Sequence, residues 1–282
     1  MVTFPGNREL PSLGLGTWRM GEVAARRKRE VAAVRAAIDM GWRVIDTAEM
    51  YGEGGAESVV GEAIAGALRN GAVTRDELFV VSKVYPHNAG AHAAVAACER
   101  SLQRLGLDHL DCYLLHWRGE VPLEETVEAF EGLRERGRIR DWGVSNFDVA
   151  DMDELFAVPG GDRCVTDQVY FSLSTRGPGF DLVPWLQSRD VVTMAYSPID
   201  QGALAANETL AAIFERRGWT AAQLALAWLV AQPGVLAIPK ATSEAHLREN
   251  LAARDVALDD AERAALDRAF APPRRKTPLA MI

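Results

Sequence analysis

The sequence of 282 residues is 48% apolar and 25% charged, a composition that is typical of a globular protein with a sizeable core and excludes a disordered or fibrous chain. Its formal net charge of -8 argues against binding to nucleic acid or to an anionic membrane surface, because both attract cationic proteins. The length alone permits one large domain or two ordinary ones.

The first predicted element is a β-hairpin at residues 2–10. The segment VTFPGNREL places Pro-Gly-Asn, a typical turn, between two extended flanks.

Eight short apolar segments that favour β-strands follow along the chain. They are LGLGT (13–17), RVID (43–46), LFVVSK (78–83), CYLLH (112–116), DWGVS (141–145), TDQVY (166–170), VVTMAY (191–196) and VLAIPK (235–240). Between them, apolar residues recur at helical spacing, and glycines that favour a left-handed C-cap end the helices, as at Gly41 and Gly106. The strands recur about every 25 to 45 residues, which leaves room for a crossover helix and predicts parallel neighbours.

Eight such units predict a (β/α)8 TIM barrel, with the hairpin plugging its lower end. An open doubly wound sheet is the alternative, but one that binds a dinucleotide carries GxGxxG after an early strand. In GLGTWRMG, Arg19 stands where the third glycine belongs. No linker or change in composition divides the chain, so we expect one domain over residues 1–282.

The cysteines and the apolar runs bear on the compartment. Cys98, Cys112 and Cys164 lie far apart and lack the spacing of a metal site, so we expect reduced thiols in the core. The N-terminus has no secretory pattern, and the longest apolar run, LALAWLVA, falls far short of the roughly 20 residues that span a bilayer. These features favour a cytoplasmic protein.

Four polar residues stand at or beside the carboxyl ends of the predicted strands. Asp46 ends the second strand and Lys83 the third. His116 ends the fourth, and Tyr51 lies in the loop that follows Asp46. In a barrel these ends share one mouth, so distant positions become neighbours. Each residue alone is more often structural than catalytic, but four suitable side chains at one mouth favour a catalytic site.

These side chains suit carbonyl reduction, which needs a hydride on carbon and a proton on oxygen. A tyrosine with a pKa of about 10 is a poor acid at neutral pH. We expect the Lys83 ammonium to lower the pKa of Tyr51, with Asp46 holding the lysine in place. His116 is expected to donate a hydrogen bond to the substrate oxygen, where negative charge grows. A dry structural network of Lys83 and Tyr51 is the alternative.

The ordered segments GLGTW, IDTAEMYG, VSKV, YLLHW, GVSNF, AYSP and IPKATSEAHLREN resemble the aldo-keto reductases over nearly the whole chain. In this resemblance Asp46, Tyr51, Lys83 and His116 match the catalytic tetrad. IDTAEMYGEGGAE, VSKVYPHNAG, LLHWRGEVPLEET and PPRRKTPL are most similar to bacterial reductases of methylglyoxal and other small reactive carbonyls. The resemblance implies a monomeric oxidoreductase that reduces small aldehydes and ketones.

The resemblance also implies a nicotinamide dinucleotide that is bound without a Rossmann domain. It assigns hydrogen bonds with the carboxamide to Ser145, Asn146 and Gln168. It assigns stacking on the nicotinamide ring to Tyr196 and a contact with a phosphate to Ser197. The segment SNFD also reads as an ordinary helix start with Asp148 as its cap, and the two roles are compatible.

The segment after the last strand is expected to hold the 2′-phosphate of NADPH. Lys240 ends that strand, and Thr242 or Ser243 can start a helix, whose N-terminus attracts anions. Family members that prefer NADPH have lysine-serine here and an arginine six residues after the lysine.

Departures from that pattern weaken the preference for NADPH. Ala241 and His246 occupy the serine and arginine positions, whereas Asn250 matches the family. Arg248 lies two residues beyond His246, about 200° further around the helix, and does not substitute directly. We therefore expect NADPH to be preferred over NADH by a modest margin.

The substrate is expected to meet an apolar pocket at the barrel mouth. Its predicted lining is Trp18, Met50, Tyr85 and Trp117. The resemblance suggests that the C-terminal segment from Pro272 onward closes over this pocket.

Three other functions fit parts of the pattern. A metal-dependent hydrolase needs paired histidines or clustered carboxylates at strand ends, and only His116 stands there, so we expect no metal. A regulatory or redox-sensing subunit would keep the barrel and the nucleotide but turn over little substrate. A reductase of keto sugar acids, of the diketogulonate type, would use the same mechanism on another carbonyl.

Overall fold

The computed structural model of the protein describes residues 1–200 and 208–282. Its strands are β1 (Val2–Phe4), β2 (Arg8–Leu10), β3 (Leu15–Gly16), β4 (Val44–Asp46), β5 (Phe79–Val84), β6 (Leu110–Leu115), β7 (Ile139–Ser145), β8 (Thr166–Tyr170), β9 (Val192–Tyr196) and β10 (Val235–Ala237). Its helices are α1 (Arg27–Asp39), α2 (Gly55–Arg69), α3 (Ala91–Leu105), α4 (Leu123–Glu135), α5 (Val149–Ala157), α6 (Leu182–Gln187), α7 (Glu208–Arg217), α8 (Ala221–Val230), α9 (Glu244–Ala252) and α10 (Asp260–Ala269).

Strands β3 to β10 form one parallel sheet in which each strand pairs with the next along the chain. The two edges of the sheet meet, because bridges join Leu13 to Ala237 and Gly16 to Lys240. A side chain at Gly16 would place its Cβ 2.8 Å from the carbonyl oxygen of Ile238, so glycine permits this close approach. The predicted (β/α)8 barrel is confirmed.

The predicted N-terminal hairpin covers the amino end of the barrel. β1 and β2 pair antiparallel, with Val2 opposite Leu10. Val2, Phe4 and Leu10 share one hydrophobic cluster with residues that point into the barrel. The rings of Phe4 and Phe79, the first residue of β5, lie 4.9 Å apart. Arg8 donates to the buried Asp111 at 2.9 Å, which fixes the hairpin electrostatically.

The core has two parts, one inside the barrel and one between the sheet and the helices. Every residue of β5 and of β6 is buried, as expected of strands covered on both faces. Cys98, Cys112 and Cys164 are buried and free, as predicted. Burial raises the pKa of the Cys98 thiol to about 12, which leaves it unreactive at neutral pH.

The helix ends follow the sequence closely. Gly106 caps α3 in the left-handed conformation, and Gly41 follows α1 with a φ of 95°. Asp148 caps α5 by accepting from the backbone N–H groups of two residues in its first turn. Ser243, rather than Thr242, caps α9. Within residues 1–200 and 208–282, none of the helices is both long and apolar enough to cross a membrane.

Several strands depart from their predicted bounds. β6 begins at Leu110 and β7 at Ile139, each two residues earlier than predicted. β10 ends at Ala237 although the apolar segment runs on to Lys240. Pro239 has no N–H, so it cannot continue the ladder.

Candidate active site

The carboxyl ends of neighbouring strands bring the four predicted catalytic residues together. Lys83 Nζ donates to Asp46 Oδ2 at 2.8 Å, to the Thr47 carbonyl at 2.9 Å and to the Tyr51 hydroxyl oxygen at 3.2 Å. The ring of Tyr51 meets the ring of His116 edge-on, with centroids 5.7 Å apart. One cluster of contacts therefore joins side chains from β4, β5, the residue after β6 and the β4–α2 loop.

The glycine-rich turn after Tyr51 returns the chain to α2. Gly52 and Gly54 have φ values of 59° and 84°, a region that favours glycine. A Cβ on Gly52 would lie 2.9 Å from the backbone of Gly21, and one on Gly54 would lie 2.5 Å from the side chain of Arg104. The loop is thus packed on both sides, and its geometry keeps the Tyr51 side chain turned toward the pocket.

Lys83 and Asp46 form a dry ion pair. The side chains are 0% and 2% exposed. Burial alone acts to lower the pKa of Lys83, but the charge on Asp46 and the contact with Tyr51 outweigh it, so the pKa is raised. Lys83 therefore carries a positive charge at neutral pH, and all three of its N–H groups are engaged.

The pKa of Tyr51 is raised, whereas the sequence predicted that it would be lowered. Burial is the largest cause, because it disfavours the tyrosinate, and the negative charge of Asp46 adds to it. The Lys83 ammonium acts in the predicted direction but does not prevail. Tyr51 is therefore protonated at neutral pH. Its hydroxyl oxygen accepts from Lys83, and within residues 1–200 and 208–282 its hydrogen has no acceptor, so that hydrogen remains available for donation.

His116 is a neutral imidazole in this pocket. It is 7% exposed, and burial together with the nearby Lys83 charge holds its pKa well below the ordinary value. Its Nδ1 is buried and has no hydrogen-bond partner in the described part of the chain. A neutral imidazole can donate from one nitrogen and accept at the other, so this ring suits a polar ligand such as a carbonyl.

A cavity of about 440 Å³ is lined by Asp46, Tyr51 and His116, whereas Lys83 is fully buried next to it. The predicted cofactor residues that line it are Ser145, Asn146, Gln168, Tyr196, Ser197 and Lys240. Thr242, His246 and Asn250 do not line it: His246 is exposed on α9 and Asn250 is buried. The residues predicted to contact the nicotinamide thus line the cavity, whereas most of those predicted to bind the 2′-phosphate of NADPH lie outside it.

Hydrogen bonds hold the amide and hydroxyl groups of the cavity wall in fixed orientations. Ser145 Oγ donates to the Gln168 carbonyl at 2.7 Å, and Asn146 Nδ2 donates to the His116 carbonyl at 3.2 Å. Tyr196 donates to Asn146 Oδ1 at 2.9 Å, and Gln168 Nε2 donates to Asp46 Oδ1 at 2.8 Å. Amide edges beside an aromatic face are chemically suited to a planar carboxamide-bearing ring.

Arg19 is a further binding candidate, which the sequence pattern did not predict. Arg19 lines the same cavity as Lys240, and its guanidinium lies 4.4 Å from the ring centre of Trp18. Two cations at one rim suit an anionic ligand such as a phosphate. The signal was present in GLGTWRMG, where Arg19 served only as an argument against a Rossmann motif.

The predicted substrate residues divide into two groups. Trp18, Met50 and Trp117 line the cavity, as do the C-terminal residues Met281 and Ile282. The C-terminal end of the chain therefore lies over the pocket.

Tyr85 does not line the cavity. Its hydroxyl donates to Glu53 at 3.1 Å, and its ring packs edge-on against Trp117 with centroids 6.0 Å apart. Tyr85 thus lies behind a wall residue of the pocket.

Comparisons with known proteins agree with this geometry. The sequence profile described as Aldo/keto reductase family matches residues 12–271. Methylglyoxal reductase YeaE of Escherichia coli (strain K12) is 50% identical over 287 residues, which cover 100% of this chain and 99% of that protein. Glyoxal reductase of Bacillus subtilis (strain 168) is 36% identical, over 86% of this chain and 82% of that protein. The solved structure of an aldo/keto reductase from Klebsiella pneumoniae in complex with NADP and acetate has a TM-score of 0.95 and 51% identity, covering 100% of this chain and 99% of that one.

Proposed function

The chain belongs to the aldo/keto reductase family and is an oxidoreductase, and we propose that it reduces small aldehydes and ketones, such as methylglyoxal-like dicarbonyls, with NADPH. The observation that carries the proposal is the contact of 3.2 Å between Lys83 Nζ and the hydroxyl of Tyr51, which lines the same cavity as His116. This contact provides a proton donor next to a fixed positive charge, which is what the oxygen of a carbonyl requires during reduction.

Tyr51 is the proposed proton donor. When bound, the reduced nicotinamide supplies the hydride to the carbonyl carbon. The Tyr51 proton passes to the carbonyl oxygen, and the tyrosinate that remains is stabilised by the Lys83 ammonium. Lys83 cannot drift from this position, because Asp46 and the Thr47 carbonyl hold its other two N–H groups.

His116 orients the substrate in this mechanism. Its low pKa keeps the ring neutral at physiological pH, so it donates a hydrogen bond without competing with Tyr51 as an acid. Trp18, Met50 and Trp117 supply an apolar wall that suits a small carbonyl compound and excludes water from the reacting oxygen.

The residues of the cavity wall support a nicotinamide dinucleotide as the cofactor. Asn146 and Gln168 offer amide edges to the carboxamide, with Ser145 holding the backbone of Gln168, and Tyr196 offers a face to the ring. Ser197 lines the same cavity and is proposed to face a phosphate.

Two cations favour NADPH over NADH. Lys240 and Arg19 stand at one rim of the cavity and suit the extra phosphate. His246 lies on the exposed surface of α9, outside the cavity, so its contribution to that phosphate stays a prediction.

A panel of carbonyl substrates tests the proposal. The loss of NADPH absorbance is followed with methylglyoxal, glyoxal, simple aldehydes and keto sugar acids, with and without a chelator. We expect turnover that is fastest with the dicarbonyls and unaffected by the chelator. Tight NADPH binding without turnover would instead indicate a regulatory subunit. A clear preference for keto sugar acids would replace the substrate class and leave the mechanism in place.

We also propose that the protein works as a monomer in the cytoplasm. The three cysteines are buried and free, which suits a reducing compartment. Size-exclusion chromatography with light scattering tests the oligomeric state, and a mass of twice 30.7 kDa would contradict it.

A further inference from the structure

We propose that Gln168 is a positioning residue for the proton donor, in addition to any contact that it makes with the nucleotide. Its side-chain amide fixes the Asp46 carboxylate, and this in turn holds Lys83 against Tyr51. The inference rests on the proposed function, since it assigns a role within the same reaction.

An unbroken series of hydrogen bonds crosses the barrel from β8 to the proton donor. Gln168 Nε2 donates to Asp46 Oδ1 at 2.8 Å, although the two residues are 122 positions apart in the chain. The other oxygen of the same carboxylate accepts from Lys83 at 2.8 Å, and Lys83 reaches Tyr51 at 3.2 Å. Gln168 is 1% exposed, so water does not take over its contact with Asp46.

The orientation of Asp46 decides where Lys83 points. Counting residues 1–200 and 208–282, each oxygen of the carboxylate has one side-chain donor, and that arrangement leaves the third N–H of Lys83 for Tyr51. Without the Gln168 donor, Oδ1 is buried and lacks a side-chain partner. The carboxylate then gains most by rotating both oxygens toward Lys83, which draws the ammonium away from the tyrosine hydroxyl.

The amide of Gln168 has one orientation available. A flipped amide would place Oε1 against the Asp46 carboxylate, and two acceptors repel each other. Oε1 therefore faces away from Asp46, and in the part of the chain that the structure describes it accepts no hydrogen bond, while Gln168 lines the cavity. A ligand amide that donates to Oε1 would lock this orientation, so occupancy of the carboxamide subsite also steadies Asp46.

A double-mutant cycle on kcat tests this role. Gln168→Met keeps the length and removes the amide, and it is measured alone and together with Asp46→Asn, using NADPH and the best substrate of the panel. We expect Gln168→Met alone to lower kcat about tenfold to a hundredfold, as for the loss of one hydrogen bond to a charged group. In the Asp46→Asn background we expect it to change kcat less than about threefold, because the charged acceptor is already gone.

Ser145→Ala is the matched control. Ser145 donates to the backbone carbonyl of Gln168 and does not touch Asp46. It should raise the KM for NADPH, and its effect on kcat should be the same with and without Asp46→Asn. Gln168→Asn, whose amide is one methylene too short to reach Asp46, replaces Gln168→Met if that variant does not fold, as judged by its thermal unfolding.

Two results would overturn the inference. In the first, Gln168→Met raises the KM for NADPH and leaves kcat intact. In the second, it lowers kcat by the same factor in both backgrounds. Either pattern limits Gln168 to nucleotide binding. If the unsubstituted protein turns over substrate normally and the variants give either pattern, only the inference is refuted. An unsubstituted protein that turns over no carbonyl of the panel refutes the proposed function and this inference with it.

Discussion

Replacing Lys83 by methionine separates the stability of the ion pair from its role in catalysis. Methionine keeps an apolar stem of similar length. Among the residues that the structure describes, it leaves the Asp46 carboxylate, 2% exposed, with Gln168 as the only remaining side-chain donor. Removal of one partner from a buried ion pair costs about 3 to 5 kcal/mol, because the other charge is left uncompensated. We expect the free energy of unfolding of Lys83→Met to fall by this amount.

The expected change in melting temperature follows from the length of the chain. An unfolding entropy of about 2.1 cal/mol/K per residue, over 282 residues, gives about 0.6 kcal/mol/K. A loss of about 3 to 5 kcal/mol then lowers Tm by about 5 to 8 °C. Calorimetry at pH 7 measures this shift.

The double variant Lys83→Met with Asp46→Asn is the control. It removes both charges, and exchange of a buried ion pair for neutral groups is often nearly neutral in stability, so we expect most of the lost Tm to return. Carbonyl reduction should stay strongly impaired in both variants. A Tm of Lys83→Met within about 1 °C of the parent protein would refute the dry ion pair. A normal kcat of Lys83→Met would show that Tyr51 does not need Lys83 to donate its proton.

Three further predictions concern His116, Lys240 and the hairpin. The pKa of His116 is lower in the folded protein, so the unfolded chain binds an extra proton below about pH 6.5, and stability is lost as the pH falls. His116→Gln should therefore reduce the drop in Tm between about pH 7 and pH 5. An unchanged drop would contradict this. Lys240→Ala should raise the KM for NADPH about tenfold or more and leave that for NADH within about twofold, and equal effects would remove Lys240 from phosphate recognition. Phe4→Ala removes a ring that lies 4.9 Å from that of Phe79. It should lower the free energy of unfolding in urea by about 3 to 5 kcal/mol and leave kcat/KM unchanged. A large loss of kcat/KM would contradict a purely structural role of the hairpin.

The barrel was predictable because its signals are local and repeated. Each strand could be predicted from its own apolar pattern. Because the carboxyl ends of the parallel strands of a barrel lie at one face, Asp46, Lys83 and His116 could be predicted to lie together. The end of β10 could also have been found, since Pro239 cannot donate to a ladder.

The features that sequence reasoning missed depend on three-dimensional burial and on contacts across the barrel. The pKa of Tyr51 rises because desolvation outweighs the Lys83 charge, and no sequence pattern gives the depth of burial. The contact of Gln168 with Asp46 joins opposite parts of the sheet, so spacing along the chain does not reveal it. Tyr85 follows a catalytic strand as Trp117 does, yet its hydroxyl turns to Glu53.

The kcat of Tyr51→Phe with NADPH and methylglyoxal shows whether Tyr51 is the proton donor, because the substitution removes only the hydroxyl group. We expect kcat to fall by a factor of about a hundred or more, as for the loss of a general acid, and the Kd for NADPH to stay within about threefold. Turnover close to that of the parent protein would contradict the assignment of Tyr51 as the proton donor.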